Sequence, residues 1–438
     1  MQSTIPDITI DIPLGALQVM KDRILALLGK EKVGIYLDSN DYPTQKHQKF
    51  ECLAAGGIKR VLQSDQGAKT PGFKDLQSWL GEQKSWAFGY FGYDLKNQIE
   101  DLKSENPDSM GFPDMCFFEP QWVIAIRKSS NSIDIFGENA LEIAAQLQID
   151  TRPISESKFG SIELRSVISR DDYLSKVDTI RQLIVEGDLY EMNLCRELMA
   201  EDVELDAIQM FRKLNAKTRA PFAAYLRLEH LHLLCASPER FIYKSEQQLI
   251  SQPIKGTRPR MLDFAADESM RRELSESEKD KSENVMIVDL VRNDLSKICI
   301  PGTVKVDELF GIYSFATVHQ MISTISGILP PEANEVQAIK AAFPMGSMTG
   351  APKVRAMQRI EQLEMSRRGI YSGALGYFSP NGDFDFNVVI RSLMYNASQR
   401  KLSCQVGGAI VFDSVAEDEW LETEWKLNGI KEILISDK

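Results

Sequence analysis

Apolar positions recur along this chain in two rhythms. From residue 8 to about 160, short strand-like runs (Gly34-Ile35-Tyr36-Leu37, Trp86-Ala87-Phe88-Gly89-Tyr90, Trp122-Val123-Ile124-Ala125-Ile126) alternate with amphipathic helices such as Leu14 to Leu28. Polar Ser129-Ser130-Asn131-Ser132 predicts a hairpin turn, and the close glycines of Gly89 to Asp94 are not GxGxxG and are expected to pack aromatic rings. The texture changes near residues 155 to 170, at Ile154-Ser155-Glu156-Ser157-Lys158. A divergent N-terminal region over 1–160 and a second region over 165–438 are therefore expected. Ser169, followed by Asp171 and Asp172, has the form of a helix N-cap with acids in the first turn, and the helix should run to Gly187.

Strands are expected around 190–200 and 222–250. A long helix from Glu273 to Leu295 follows, with Val285, Ile287, Val288, Leu290 and Val291 as a broad apolar face. Further strands are expected at 371–378, 386–396 and 402–412, and a last helix from near Ala416. Strand clusters separated by helices predict an α+β fold with mainly antiparallel sheets rather than a doubly wound parallel one.

The 438 residues suffice for one large or two ordinary domains. With 51 basic and 63 acidic side chains the net charge is -12, which argues against general affinity for nucleic acid or anionic membranes. An anionic small substrate stays compatible if cations gather locally. The six cysteines are scattered without a CxxC pair, so neither a disulfide framework nor a zinc site is indicated and a reducing cytoplasm is expected. Met1 to Asp7 lacks a basic start followed by an apolar run, and no later run is long enough to span a bilayer.

Ser251-Gln252-Pro253-Ile254-Lys255-Gly256-Thr257-Arg258-Pro259-Arg260 packs two prolines, a glycine and three cations into ten residues. Lys255 there is either a solvated cation or a nucleophile. The second use requires desolvation or a neighbouring cation, for which Arg258 is placed, to lower its pKa. Glu419, Glu422 and Lys426 share one face of the last helix, and Asp280 and Glu283 repeat the i, i+3 pattern on the long one. Two such acid pairs are either solvated faces or a site for Mg²⁺, which prefers oxygen ligands.

Gly346-Ser347-Met348-Thr349-Gly350-Ala351-Pro352-Lys353 is not a Walker A loop, although its backbone N–H groups suit a carboxylate or hydroxyl. Gln405 to Ile410 allows either close approach to a ligand or tight sheet packing. Arg391 lies in an apolar run and needs an anion, from protein or substrate. His319 is a core histidine or a proton carrier.

In order along the chain, Gly187 to Leu194, Ser237-Pro238-Glu239-Arg240-Phe241, Pro253 to Thr257, Glu283 to Asp294, Gly346 to Lys353, Tyr371 to Tyr377, and Asp413-Ser414 leading to Glu419, Glu422 and Lys426 resemble the chorismate-utilising enzymes over roughly residues 165–435. The resemblance implies two large, mainly antiparallel β-sheets packed as a sandwich with helices outside, and chorismate bound with Mg²⁺ in a cleft. By position, Glu283 and Glu422 would ligate the metal, Glu419 would hold it through water, and Asp280 would stand in its outer shell. The second substrate carboxylate would meet Arg391, Tyr371 and the backbone at Gly407-Gly408. Lys426 would lie near the metal-bound end, Thr257, Ser347 and Thr349 would touch substrate, and His319 would sit by the ring.

Within the family, lysine at 255 resembles the aminodeoxychorismate synthases, where anthranilate and isochorismate synthases usually carry alanine. The implied chemistry is addition of the lysine amine at C2, followed by ammonia at C4, with Glu239 as general acid/base and a separate glutamine amidotransferase subunit as ammonia source. Anthranilate synthase component I is the alternative branch. Glu191 stands where isochorismate and salicylate synthases place a water-activating lysine, a role that a carboxylate cannot reproduce. Arg219-Ala220-Pro221-Phe222 replaces the Asn-Pro-Ser-Pro of tryptophan-inhibited relatives, so no tryptophan feedback is expected.

Overall fold

The computed structural model describes residues 5–42, 47–64, 71–82, 84–128, 130–149 and 160–435. Ser129 and the stretch 154–158, on which two of the expectations above rest, lie outside them. Two sheets carry the fold, one of 12 strands and one of 10. Every strand pair among the described residues is antiparallel.

Strands from both ends of the chain interleave in both sheets. Val33–Asp38 pairs with Phe222–Leu228 in the larger sheet, and Ala87–Phe91 pairs with Ala374–Phe378 in the smaller. The larger sheet is covered on both faces, so its strands read as continuous apolar runs rather than as alternation. Along Val33–Asp38, Ile35 turns into the core shared with Phe88, Phe117 and Phe386 of the smaller sheet. Its neighbour Tyr36 turns the other way, into a second core with Ile24 and Leu28 of helix Leu17–Leu28 and Phe211 of helix Ala207–Thr218.

Two boundaries differ from the pattern-based reading, and each has a local cause. The long helix is two, Phe264–Glu276 and Glu278–Ser296, because Ser277 adopts an extended ψ of 108° and its hydroxyl accepts the Asp280 N–H at 3.2 Å. That cap starts a fresh helix and puts Asp280 in its first turn, where the N-terminal dipole favours a carboxylate. The run 386–396 is also broken. Phe384–Val388 belongs to the smaller sheet and Ser392–Asn396 to the larger, and the chain crosses between them at Arg391, whose φ is 53°. A second crossover runs from Leu231–Ser237 to Arg240–Ser245 through Pro238 and Glu239.

Candidate active site

Both crossovers open onto one cavity of about 220 Å³. Glu239 and Arg391 come from the crossovers themselves. Lys255 and Thr257 come from strand Ile254–Pro259, Asp280 and Glu283 from helix Glu278–Ser296, and Glu422 and Lys426 from helix Ala416–Leu434. Ser347, Tyr371, Gly407 and Gly408 complete the wall from the residues that the sequence singled out. Gly256 lets the lysine strand run against the acidic helix: its φ is 82°, and a Cβ there would stand 2.9 Å from Asp280 Oδ1 and 2.8 Å from Leu274 Cδ1. A Cβ on Gly408 would reach 3.3 Å from Glu419 Oε2 and 3.5 Å from Glu422 Oε1, so this strand passes close to the carboxylates of the last helix.

Lys255 is buried, and its Nζ donates to Glu191 Oε1 at 2.6 Å. Burial alone would lower its pKa, but the carboxylates of Glu191, Glu283 and Glu239 outweigh that and hold it above the ordinary lysine value. This corrects the expectation that Arg258 would depress it. Arg258 is occupied, donating to Glu273 Oε1 at 2.8 Å and Asp280 Oδ2 at 3.1 Å. Burial pushes the Glu239 carboxyl up to about 7 against the opposing pull of the Ser347 hydroxyl and the Lys255 cation. The Ser347 hydroxyl nonetheless completes no hydrogen bond. Burial also raises Glu283 to about 7, with Lys255 opposing and Glu191 adding to the rise. The Lys426 ammonium, 2.5 Å away, holds Glu422 below its usual range. Burial and then Glu422 raise Glu419, whose Oε1 accepts from Ser414 at 2.7 Å.

Arg391 makes no ion pair among the described residues and donates only to the Lys426 carbonyl at 3.4 Å. Its need for an anion is thus unmet by the protein. Three expected site residues do not line the cavity, and Glu419, bonded to Ser414, is one of them. The Thr349 hydroxyl is used by the backbone, donating to the carbonyls of Met345 and Gly346 at 3.2 Å. His319 is buried between Ser314 Oγ at 2.8 Å and Asp267 Oδ1 at 3.0 Å. Because side chains alternate along strand Val318–Ile328, it is Gln320 that faces the cavity, beside its cross-strand partner Thr257. The N–H groups of Met348 and Thr349 are spent on Met345 and Gly346, and Lys353 is tied to Asp294 at 2.5 Å, so the glycine turn is largely internal structure.

Gln320 and Asn193 are residues of this site that motif reading passed over, and Glu191, read only as an unsuitable replacement for a water-activating lysine, proves to be the hydrogen-bond partner of Lys255. Glu191 Oε2 and Gln320 Oε1, like the Ser347 hydroxyl, are enclosed polar atoms without a partner. Orphaned polar atoms are rare in native interiors, and three gathered here mark a place made for something else to bind. Among the described residues no three acids or histidines close into a metal cage. The donors nonetheless suit Mg²⁺, which takes one or two carboxylates and completes its shell with water and substrate oxygens. The Lys279 ammonium already bridges the two acid-bearing helices, 4.0 Å from Glu283 and 3.7 Å from Glu419, which shows that these carboxylates accept a cation between them.

The profile of the family described as "chorismate binding enzyme" matches residues 35–432, reaching further toward the N-terminus than the motifs do. The chain is 38% identical over 345 residues to aminodeoxychorismate synthase component 1 of Klebsiella aerogenes, covering 78% of this chain and 76% of that protein. It is 37% identical over 346 residues to the Escherichia coli K12 protein of the same name, with 78% and 76% covered. The crystal structure of anthranilate synthase component I from Streptococcus pneumoniae superposes with a TM-score of 0.78 at 25% identity, covering 88% of this chain and 92% of that one.

Proposed function

Because the chain belongs to the chorismate binding enzyme family, we propose that it is an aminodeoxychorismate synthase component I, turning chorismate and ammonia into 4-amino-4-deoxychorismate. The observation that carries this reading is a buried lysine, Lys255, in the wall of a cavity lined by carboxylates of two facing helices. A binding protein has no use for an amine placed there, whereas covalent catalysis does.

In this reading the Lys255 amine bonds to C2 of the ring, the two ring double bonds shift, and the C4–O bond breaks. The departing oxygen takes the proton of Glu239, whose burial raises its pKa to about 7 so that a substantial share is protonated near neutrality, and leaves as water. Ammonia then bonds to C4 and passes a proton to the Glu239 carboxylate, the double bonds return, and the C2–Nζ bond breaks to restore the lysine. The tether occupies C2, so nitrogen enters at C4. Arg391, with Tyr371 and the backbone of Gly407-Gly408, receives the substrate's second carboxylate, which supplies the anion that the protein withholds. Glu283 and Glu422, supported by Glu419 and Asp280, would hold Mg²⁺, which would supply charge neutralisation and orientation of the substrate's ring carboxylate. Lys426 steadies Glu422 and bonds the Gly407 carbonyl at 2.7 Å.

The relatives' designation as component 1 supports a separate glutamine amidotransferase subunit as ammonia donor. The six free cysteines suit a reducing compartment, and we place the protein in the cytoplasm. No described helix is long and apolar enough to cross a membrane. Incubation with chorismate, Mg²⁺ and ammonium should yield 4-amino-4-deoxychorismate by mass, without pyruvate. Anthranilate accompanied by pyruvate would assign the protein to the other branch.

A further inference from the structure

A lysine nucleophile needs a free lone pair, yet Lys255 rests as an ammonium bonded to a carboxylate. Glu191 opens strand Glu191–Ala200 and is fully enclosed. The backbone around it is pinned, since Tyr190 N donates to the Ala351 carbonyl at 2.8 Å and Glu191 lies opposite Ala351 across the ladder. Its Oε1 takes the Lys255 bond and its Oε2 has no partner. Glu197 on the same strand is different, because its Oε1 accepts from both Ser109 and Ser403 at 2.6 Å. A carboxylate kept only to hold a strand in place would be satisfied in that way.

Glu239 and Glu283 are the other acids facing Lys255, but among the described residues its Nζ donates to Glu191 alone. We propose that Glu191 is the positioning residue that receives the Lys255 proton as the amine attacks and returns it when the amine departs. The proton moves from Nζ to a Glu191 carboxylate oxygen and the freed lone pair forms the C2–Nζ bond. The electron pair of the broken C4–O bond leaves with the oxygen, which is protonated by Glu239. No further reactant is needed.

This inference rests on the lysine reading above, and three variants separate the two. With chorismate, Mg²⁺ and ammonium, Glu191→Gln keeps the shape of the acceptor but cannot take the proton. It should lose about 100-fold in kcat while the chorismate Kd, measured by calorimetry, stays within about threefold. Glu191→Asp should recover much of the lost rate. An unchanged kcat in Glu191→Gln overturns the proposal. So does a faster one, which would mean that the carboxylate merely holds the lysine inactive. Equal losses of rate and of chorismate affinity in the Gln and Asp variants would reduce Glu191 to a packing role and overturn it as well. If Lys255→Ala instead makes the normal product at the normal rate, it is the lysine reading itself that fails.

Discussion

Lys21 and Lys255 are both buried against carboxylates, but the networks around them differ in one respect. On helix Leu17–Leu28, Lys21 donates to Asp38 at 2.8 Å and to Glu51. The remaining oxygens there are taken: Glu51 Oε2 accepts from Ser39 at 2.8 Å, and Asp38 Oδ2 from Tyr36 at 3.0 Å and Asn215 at 3.1 Å. Around Lys255 the account does not close. Its partner Glu191 has a bare oxygen, and Gln320 and Ser347, which line the cavity beside it, present another acceptor and a hydroxyl without partners. Both lysines are held above their ordinary pKa by acids that outweigh burial, so the charge state does not distinguish them. Completeness of hydrogen bonding does. A saturated polar network ties elements of the fold together, and an unsaturated one is poised for a ligand.

The strongest way to break this contrast is to delete each lysine and compare what is lost. Lys255→Ala should reduce amination by about 10³-fold or more in a steady-state assay, with the protein still folded. Lys21→Met should do the reverse. It strands Asp38 and Glu51 in the interior and should lower unfolding free energy by about 3–5 kcal/mol in a denaturant titration, leaving product identity unchanged.

The role of Glu239 gives the next largest effect, and its sign follows from a pKa of about 7. A general acid works while protonated, so the chorismate-saturated rate, at constant free ammonia and saturating Mg²⁺, should fall as pH rises through about 7. Glu239→Gln should remove that limb and lower kcat about 100-fold. The same shift affects stability. Folded Glu239 binds its proton more tightly than the unfolded chain does, so this group favours folding below its unfolded pKa, and that contribution is lost as pH rises through about 7. The smallest effect expected is in the metal requirement. Glu283→Gln should raise the Mg²⁺ concentration for half-maximal activity about tenfold, read from a Mg²⁺ titration, because one charged ligand is replaced by a neutral one.

Much of the fold was legible because it is written in short-range patterns. The helix beginning after Ser169 ends at Val185, close to the expected Gly187, and the Ser169 side chain accepts from Asp172 N as a cap does. Acid pairs at i, i+3 on two helices could be read directly, although that they face one cavity could not. The Ser277 cap was visible as Ser-Glu-Lys-Asp but was hidden by an apolar face continuing on its far side. Arg391 looked like a cation inside a strand because apolar residues flank it on both sides. Only the sheet order shows that the strand changes layers there.

His319 and Gln320 differ by one position in a strand of period two, and motif reading took the more reactive side chain while the alternation turns its neighbour inward. The Lys255–Glu191 bond joins residues 64 positions apart in the chain. Neither that contact nor the direction of the lysine's pKa could be read locally, since both depend on which acids the fold gathers around one nitrogen.

The most direct measurement is the intact mass of the protein, followed by peptide mapping, after mixing with chorismate and Mg²⁺ in the absence of ammonia and rapid acid quenching. The expected result is a fraction of the protein heavier by one chorismate less one water, with the added mass on the peptide containing Lys255 and lost when ammonium is supplied. An adduct on any other residue, or an unmodified protein together with a Lys255→Ala variant that aminates chorismate at the normal rate, would contradict the assignment of Lys255 as the nucleophile.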